Sequence, residues 1–248
     1  KDNIDVAGLP TTAACPAFAH VPERSAAVVD RLAAAGALVI GKTNLDQFAT
    51  GLVGVRSPYP IPRNAFDPAR VPGGSSSGSA IAVAQGIVPI ALGTDTAGSG
   101  RVPAGLNDLV GLKPSLGAVS TRGVLPACRT LDCVSVFART PDDAWRTYEV
   151  LRGFDAEDAY SRPVAVDAPA TAPVVKAIGL PGGKDRLFFG DTLMAEAFDQ
   201  ALGVLAPLVD TSVEVDLAPF LAVARLLYEG PWVAERHAAM RAFLATNA

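Results

Sequence analysis

Histidine occurs only twice in these 248 residues, at His20 and His237. That scarcity leaves little room for chemistry that relies on an imidazole base. Cysteine is almost as sparse: Cys15, Cys128 and Cys133 are odd in number and lack metal-ligand spacing. They read as free thiols, which suits a reducing cytoplasm. No apolar run approaches the roughly 20 residues that a membrane-spanning helix needs. Nothing near the start has the apolar segment of a signal peptide. Acidic residues outnumber basic ones, 25 to 21, and the basic residues do not cluster. A nucleic-acid surface needs a concentrated positive stripe, so a direct nucleic-acid role is disfavoured. No internal repeat is visible, and the length suits one large α/β domain or two small ones. The chain opens on KDNIDV, without Met and in what reads as a strand, so it is expected to be a fragment of a longer protein.

What the sequence does contain is an alternation of helical and strand-like segments. RSAAVVDRLAAA (24–35) has helical periodicity and stops at Gly36, and ALVIG (37–41) reads as a short buried strand. Residues 50–74, rich in Pro, Gly and Arg, read as irregular loop. The segment 79–85 looks like a small-residue helix, VPIALGTD (88–95) a buried strand and VGLKP (110–114) another. TAGSGRVPAG (96–105) is a glycine-rich turn that enters a helix. Further on, 142–151 reads as helix, 174–182 as strand, 191–208 as an amphipathic helix and SVEVDL (212–217) as a strand. Helical stretches around 219–227 and 231–245 close the chain, and 155–173 reads as a loop. The alternation implies a mostly parallel or mixed sheet between helical layers.

Three glycine-rich readings fail on mechanism. GALVIGKT (36–43) matches a phosphate-binding loop literally, but its four variable positions are themselves the expected strand. GSSSG (74–78) matches a nucleophile elbow around Ser76. An elbow needs a preceding strand, where ARVPGG is a poor one, and a later histidine. Only His237 stands in that order, in a helical and solvated segment. A flexible linker is excluded because the serine run is short and leads directly into apolar helix.

Serine is a weak nucleophile until a base takes its proton, and with histidine scarce the base falls to a buried neutral lysine. The chain offers Lys1, the serine cluster 75–77, and a second glycine-framed serine, Ser99.

KDN (1–3), PGGSSSGSA (72–80), GTDTAGSGR (93–101) and GLKPS (111–115), in this order, resemble the amidase signature family. GKTNLDQFATG (41–51) adds to the likeness, which is dense over residues 1–140. The resemblance implies an α/β fold with a mixed β-sheet core flanked by helices on both faces, here incomplete at both ends. It also implies one partial catalytic domain over 1–248 without a firm internal boundary. It implies a Ser–cis-Ser–Lys triad, with Ser99 as nucleophile, Ser75 as bridging serine and Lys1 as base. The backbone N–H groups of Thr96, Ala97, Gly98 and Ser99 would form the oxyanion hole. At Ser77 the family pattern has glycine. Without a strand ahead of it, Lys1 is expected to stay near its ordinary pKa of about 10.4 and to leave the fragment poorly active.

LLYEGPWVAERHAAM (226–240) resembles allophanate hydrolases, in which a tyrosine and an arginine grip the substrate carboxylate. The matching residues are Tyr228 and Arg236, and an arginine fork pairs with a carboxylate in two-pronged fashion. The loop CRTLDC (128–133) also looks like that subgroup. Arg101 is a second cation, suited either to an anion or to bracing the turn through Asp95. The resemblance thus implies hydrolysis of the terminal amide of allophanate, through an acyl-enzyme, with release of ammonia. The partner would be a small anionic amide, with no metal or organic cofactor, and a homo-oligomer stays open. Within the family the alternatives are a general amidase or the amidase component of a tRNA-dependent amidotransferase. Outside enzymes the alternative is an inactive scaffold module.

Overall fold

Helix α1 (Ala27–Ala34) forms where Ala27, Val28 and Val29 supply the buried face, in a computed structural model that describes residues 1–165 and 175–247. Gly36 follows it in the left-handed region, at φ 90°, a backbone angle that side chains with a Cβ resist. The chain divides into two compact units, Lys1–Val164 with Ala234–Ala248, and Ala165–Val233.

In the first unit, α2 (Ser77–Ala84) is followed by β1 (Ile90–Asp95), α3 (Arg101–Leu106), β2 (Val110–Leu112), β3 (Cys133–Ala138) and α4 (Pro141–Leu151). The sheet order is β1-β3-β2 and both pairings are antiparallel, with Thr94 opposite Val134 and Leu112 opposite Val136. The central strand β3 is buried along its whole length. Its Phe137 packs with Ala80 and Val83 of α2 and Ala104 of α3. Those small residues let both helices lie close to the sheet, where every lost methylene would be felt. Thr140 caps α4 by accepting the N–H of Asp143, and Pro141 opens the first turn.

The second unit contains β4 (Ala177–Pro181), α5 (Thr192–Leu205), β5 (Thr211–Val215) and α6 (Ala218–Glu229). β4 and β5 pair in parallel, with α5 as the crossover. Asp191 caps α5 through the N–H of Met194. Helix α7 (Pro231–Asn247) crosses into the first unit at Ala234.

The sequence expectations hold for α1 to α7, β1, β2, β4 and β5, with ends shifted by a few residues. Three differ. ALVIG forms no strand, and Leu38 is 84% exposed. An apolar run becomes a strand only when a neighbouring strand takes its backbone groups; among the described residues none does, and the Ala37 N–H returns to the Leu32 carbonyl of α1. Leu38, Val39 and Ile40 instead line an apolar cleft of about 500 Å³ with Ile87 and Ile90. The opening KDNIDV makes isolated bridges rather than a strand. The central strand β3 has no counterpart among the expected elements. The expected loop 155–173 is seen as turns and coil as far as 165; residues 166–173, and Val174 of the following segment, lie outside the described residues.

Candidate active site

Lys1 is 7% exposed, covered by the chain itself, which corrects the expectation of an uncovered ammonium. Its Nζ donates to Ser75 Oγ at 2.8 Å and to Thr94 Oγ1 at 2.6 Å. The KDN segment is fixed by several bonds. Asn3 Nδ2 donates to the Leu125 carbonyl and to Thr94 Oγ1, and the Asp2 N–H donates to the Thr43 carbonyl. Asp2 also pairs with Lys42 at 2.8 Å. Lys42 donates further to the Pro10 carbonyl and Thr11 Oγ1, so the lysine of GALVIGKT is spent on structure. Burial pushes the Lys1 pKa down to about 7, against the opposing pull of Asp132, Asp46 and Asp95. A lysine with that value is half neutral near physiological pH.

Each serine of GGSSSGSA has its own place. The Gly74–Ser75 peptide bond is cis, and Ser75 faces Lys1. Ser76 Oγ accepts the N–H of Thr94 at 3.3 Å and donates to the Thr94 carbonyl at 3.2 Å. A hydroxyl thereby does for β1 what a neighbouring strand would do. Gly93 makes this approach feasible: a Cβ there would stand 2.7 Å from Ser76 Oγ. Ser79 Oγ donates to the Leu92 carbonyl at 2.8 Å and meets Thr43 Oγ1 at 2.7 Å. Ser77, where the family pattern has glycine, is fully buried and its hydroxyl has no partner among the described residues.

The turn after β1 carries Ser99. The N–H of Ser76 donates to the Ser99 carbonyl at 3.2 Å, which ties the two serine-bearing loops together through the backbone. Ser99 Oγ donates to the Gly51 carbonyl at a long 3.4 Å rather than to Ser75. Asp95, fully buried at the end of β1, organises the turn. Its carboxylate accepts the N–H groups of Gly98, Gly100 and Arg101 and both prongs of the Arg101 guanidinium. Burial works to raise the Asp95 pKa, but the Arg101 fork and these amides together hold it below the ordinary carboxylate value. Arg101 is therefore a brace. The Gly98 N–H, one of the four expected in an oxyanion hole, is committed to Asp95. Among the described residues, no protein acceptor takes the N–H of Thr96, Ala97 or Ser99.

Two carboxylates here carry roles that sequence reasoning missed. Asp46, within GKTNLDQFATG, accepts the N–H groups of Gly54 and Arg56, while its own N–H donates to the Ser75 carbonyl. It thus binds the loop that carries Gly51 to the serine cluster. Asp132 accepts from Thr96 Oγ1 and from the N–H groups of Ala127 and Cys128. Their only signal is position inside the motifs, since their partners are mostly backbone amides that carry no side-chain signature.

Tyr228 lies on α6 in the second unit and is 62% exposed; Arg236 lies on α7 in the first and is half-buried. Beside Arg236, Glu235 accepts both the N–H and the hydroxyl of Thr130, at 2.8 and 2.7 Å. Phe243 of α7 stacks edge-on against Phe18 and tilts over Phe48. Cys15, Cys128 and Cys133 are free thiols. Among the described residues no three His, Cys, Asp or Glu side chains gather to hold a metal ion, and no helix is long and apolar enough to cross a membrane.

Comparison with known proteins gives consistent results. A family model described as Amidase matches residues 1–247. The chain is 53% identical over 245 residues to a urea amidolyase from Saccharomyces cerevisiae, covering 98% of this chain and 13% of that protein. Its fold superposes on a Kluyveromyces lactis allophanate hydrolase with a TM-score of 0.95 and 54% identity, over all of this chain and 40% of the other. A glutamyl-tRNA(Gln) amidotransferase component from Thermotoga maritima gives a TM-score of 0.85 at 33% identity, over 99% of this chain and 54% of the other. The chain therefore spans well under half the length of the urea amidolyase and the allophanate hydrolase.

Proposed function

The chain belongs to the amidase family, and from that premise we propose that it is part of an amidohydrolase that cleaves the terminal amide of allophanate. The observation that carries the mechanism is the buried contact of Lys1 Nζ with Ser75 Oγ, at 2.8 Å, in surroundings that bring the lysine pKa to about 7. Neutral Lys1 accepts a proton from Ser75 as Ser75 accepts one from Ser99, whose Oγ attacks the terminal amide carbonyl. The long bond from Ser99 to Gly51 is weak enough for the hydroxyl to turn toward Ser75. The N–H groups of Thr96, Ala97 and Ser99 receive the oxyanion, with Gly98 kept as the hinge bonded to Asp95. The relay then protonates the departing ammonia. Water adds to the acyl-enzyme and releases N-carboxycarbamate, with Ser99 regaining its proton by the same path. Apart from the attacking water every step uses protein groups, all within one catalytic domain.

Allophanate is favoured over other amides by the likeness to urea amidolyase and allophanate hydrolase and by the Tyr228 and Arg236 motif. Those two residues are assigned to the substrate carboxylate, the tyrosine as a hydroxyl donor and the arginine as a two-pronged one. The three free thiols fit a cytoplasmic enzyme. Ammonia release from allophanate, glutamine and a simple aliphatic amide, measured side by side on the intact protein, tests the reading. Allophanate is expected to give the highest kcat/KM; preference for glutamine or the neutral amide overturns it. Because Lys1 acts when neutral, kcat/KM should rise with pH through an acid limb near 7. Arg236→Lys should weaken allophanate turnover far more than that of the neutral amide.

A further inference from the structure

We propose that Asp132 is a positioning residue for the Thr96–Ser99 turn, holding the Thr96 hydroxyl from behind so that the turn's amides stay aimed at one point. This deepens the reading above and rests on it. Asp132 is buried and forms no ion pair among the described residues, so hydrogen bonds, helped by the nearby charge of Lys1, keep its carboxylate inside the protein. It uses the N–H groups of Ala127 and Cys128 and the hydroxyl of Thr96. The first two belong to its own turn; the third belongs to the segment that leads to Ser99. The carboxylate is therefore the side-chain link between the turn 127–132 and that segment. The turn is itself held from its outer side, where Glu235 of α7 accepts both donors of Thr130. Rigidity passes from α7 to Thr130, and through Asp132 to Thr96.

The same carboxylate acts on Lys1. Three acids face that lysine, Asp132, Asp46 and Asp95, and Asp132 exerts the largest pull toward the protonated form. Asp95 is offset by the Arg101 fork and Asp46 by the amides of Gly54 and Arg56, while Lys42 is paired with Asp2 nearby. Burial raises the Asp132 pKa, and its Thr96, Cys128 and Ala127 donors oppose the rise. Removing the charge at 132 leaves Lys1 buried with less support for its proton, so the acid limb should move to lower pH. A residue that merely supports the fold would not move it.

The test uses the intact protein and compares Asp132→Asn and Thr96→Val with the parent, each checked for folding by circular dichroism. Asp132→Asn should lower kcat roughly tenfold or more with KM little changed. It should also shift the acid limb down by about one pH unit. Thr96→Val keeps the charge, so its kcat should fall about tenfold while the limb stays in place. An acid limb that does not move in Asp132→Asn, or a Thr96→Val kcat within about twofold of the parent, overturns the proposal. Should Asp132→Asn fail to fold, the Thr96→Val kcat decides alone. Ser99→Ala is run alongside: turnover retained there removes the nucleophile assignment and the Thr96 role with it. Its loss, with an unmoved limb in Asp132→Asn, overturns the Asp132 role alone.

Discussion

The loop Gly73–Ala80 and the turn Thr94–Arg101 are built from much the same small residues, and the bond from the Ser76 N–H to the Ser99 carbonyl joins them. They are held in opposite ways. In the first loop three hydroxyls are themselves engaged: Ser75 bonds Lys1, Ser76 bonds the backbone of Thr94, and Ser79 bonds that of Leu92. The second is fixed by carboxylates, its own Asp95 and the more distant Asp132, and its serine hydroxyl makes one long bond, to the Gly51 carbonyl. A hydroxyl that satisfies the backbone is already employed; one whose turn is held by other groups is left for chemistry. We read the contrast as favouring Ser99 over Ser75, Ser76 and Ser79 as the reacting serine.

The largest way to break the contrast is Ser99→Ala. It should lower turnover by about a thousandfold or more, abolish labelling by a fluorophosphonate probe, and leave the melting temperature almost unchanged. Labelling that persists would place the nucleophile elsewhere. Next comes Asp95→Ala, which deprives three amides and the Arg101 fork of their acceptor at once. A loss of about 3 kcal/mol in urea unfolding is expected, and a change below about 1 kcal/mol would contradict carboxylate bracing of the turn. Ser76→Ala leaves the buried Thr94 N–H without its acceptor and should cost about 1–2 kcal/mol, with activity reduced in proportion to any displacement of Thr94. Smallest is Ser77→Ala. It removes a buried hydroxyl that has no partner among the described residues and should be neutral or stabilising by up to about 1 kcal/mol. A marked loss at Ser77 would mean that this hydroxyl too is employed.

Helices are the most legible part of the sequence, because periodicity and caps are local: Thr140 with Pro141, and the stop at Gly36, can be read without knowing what packs nearby. Strands are less legible. CVSVFA, buried on both faces, shows no alternation to betray β3, and ALVIG has every apolar cue yet pairs with nothing in the described residues. The first sheet is also wholly antiparallel, whereas helix–strand alternation suggests a mostly parallel or mixed one; among the described residues only β4 and β5 pair in parallel. At the site, the contact of Lys1 with Ser75 is legible because several motifs point to it together. The burial of Lys1 is not, since it depends on Thr94, Asn3 and Leu125 meeting from far along the chain. The roles of Asp46 and Asp132 are hidden for a related reason: a carboxylate that binds amides leaves no complementary side chain to find.

The bond from the Thr94 amide to Ser76 has a dynamic consequence. This proton lies on the side of β1 away from β3, where solvent deuterium would ordinarily replace it quickly. Here it is shielded by a hydroxyl at the start of α2, so exchange requires that helix to part from the strand. A single amide signal thereby times the breathing of α2 against β1. Because Lys1 bonds Ser75 on one side and Thr94 on the other, that opening would also loosen the enclosure of the lysine.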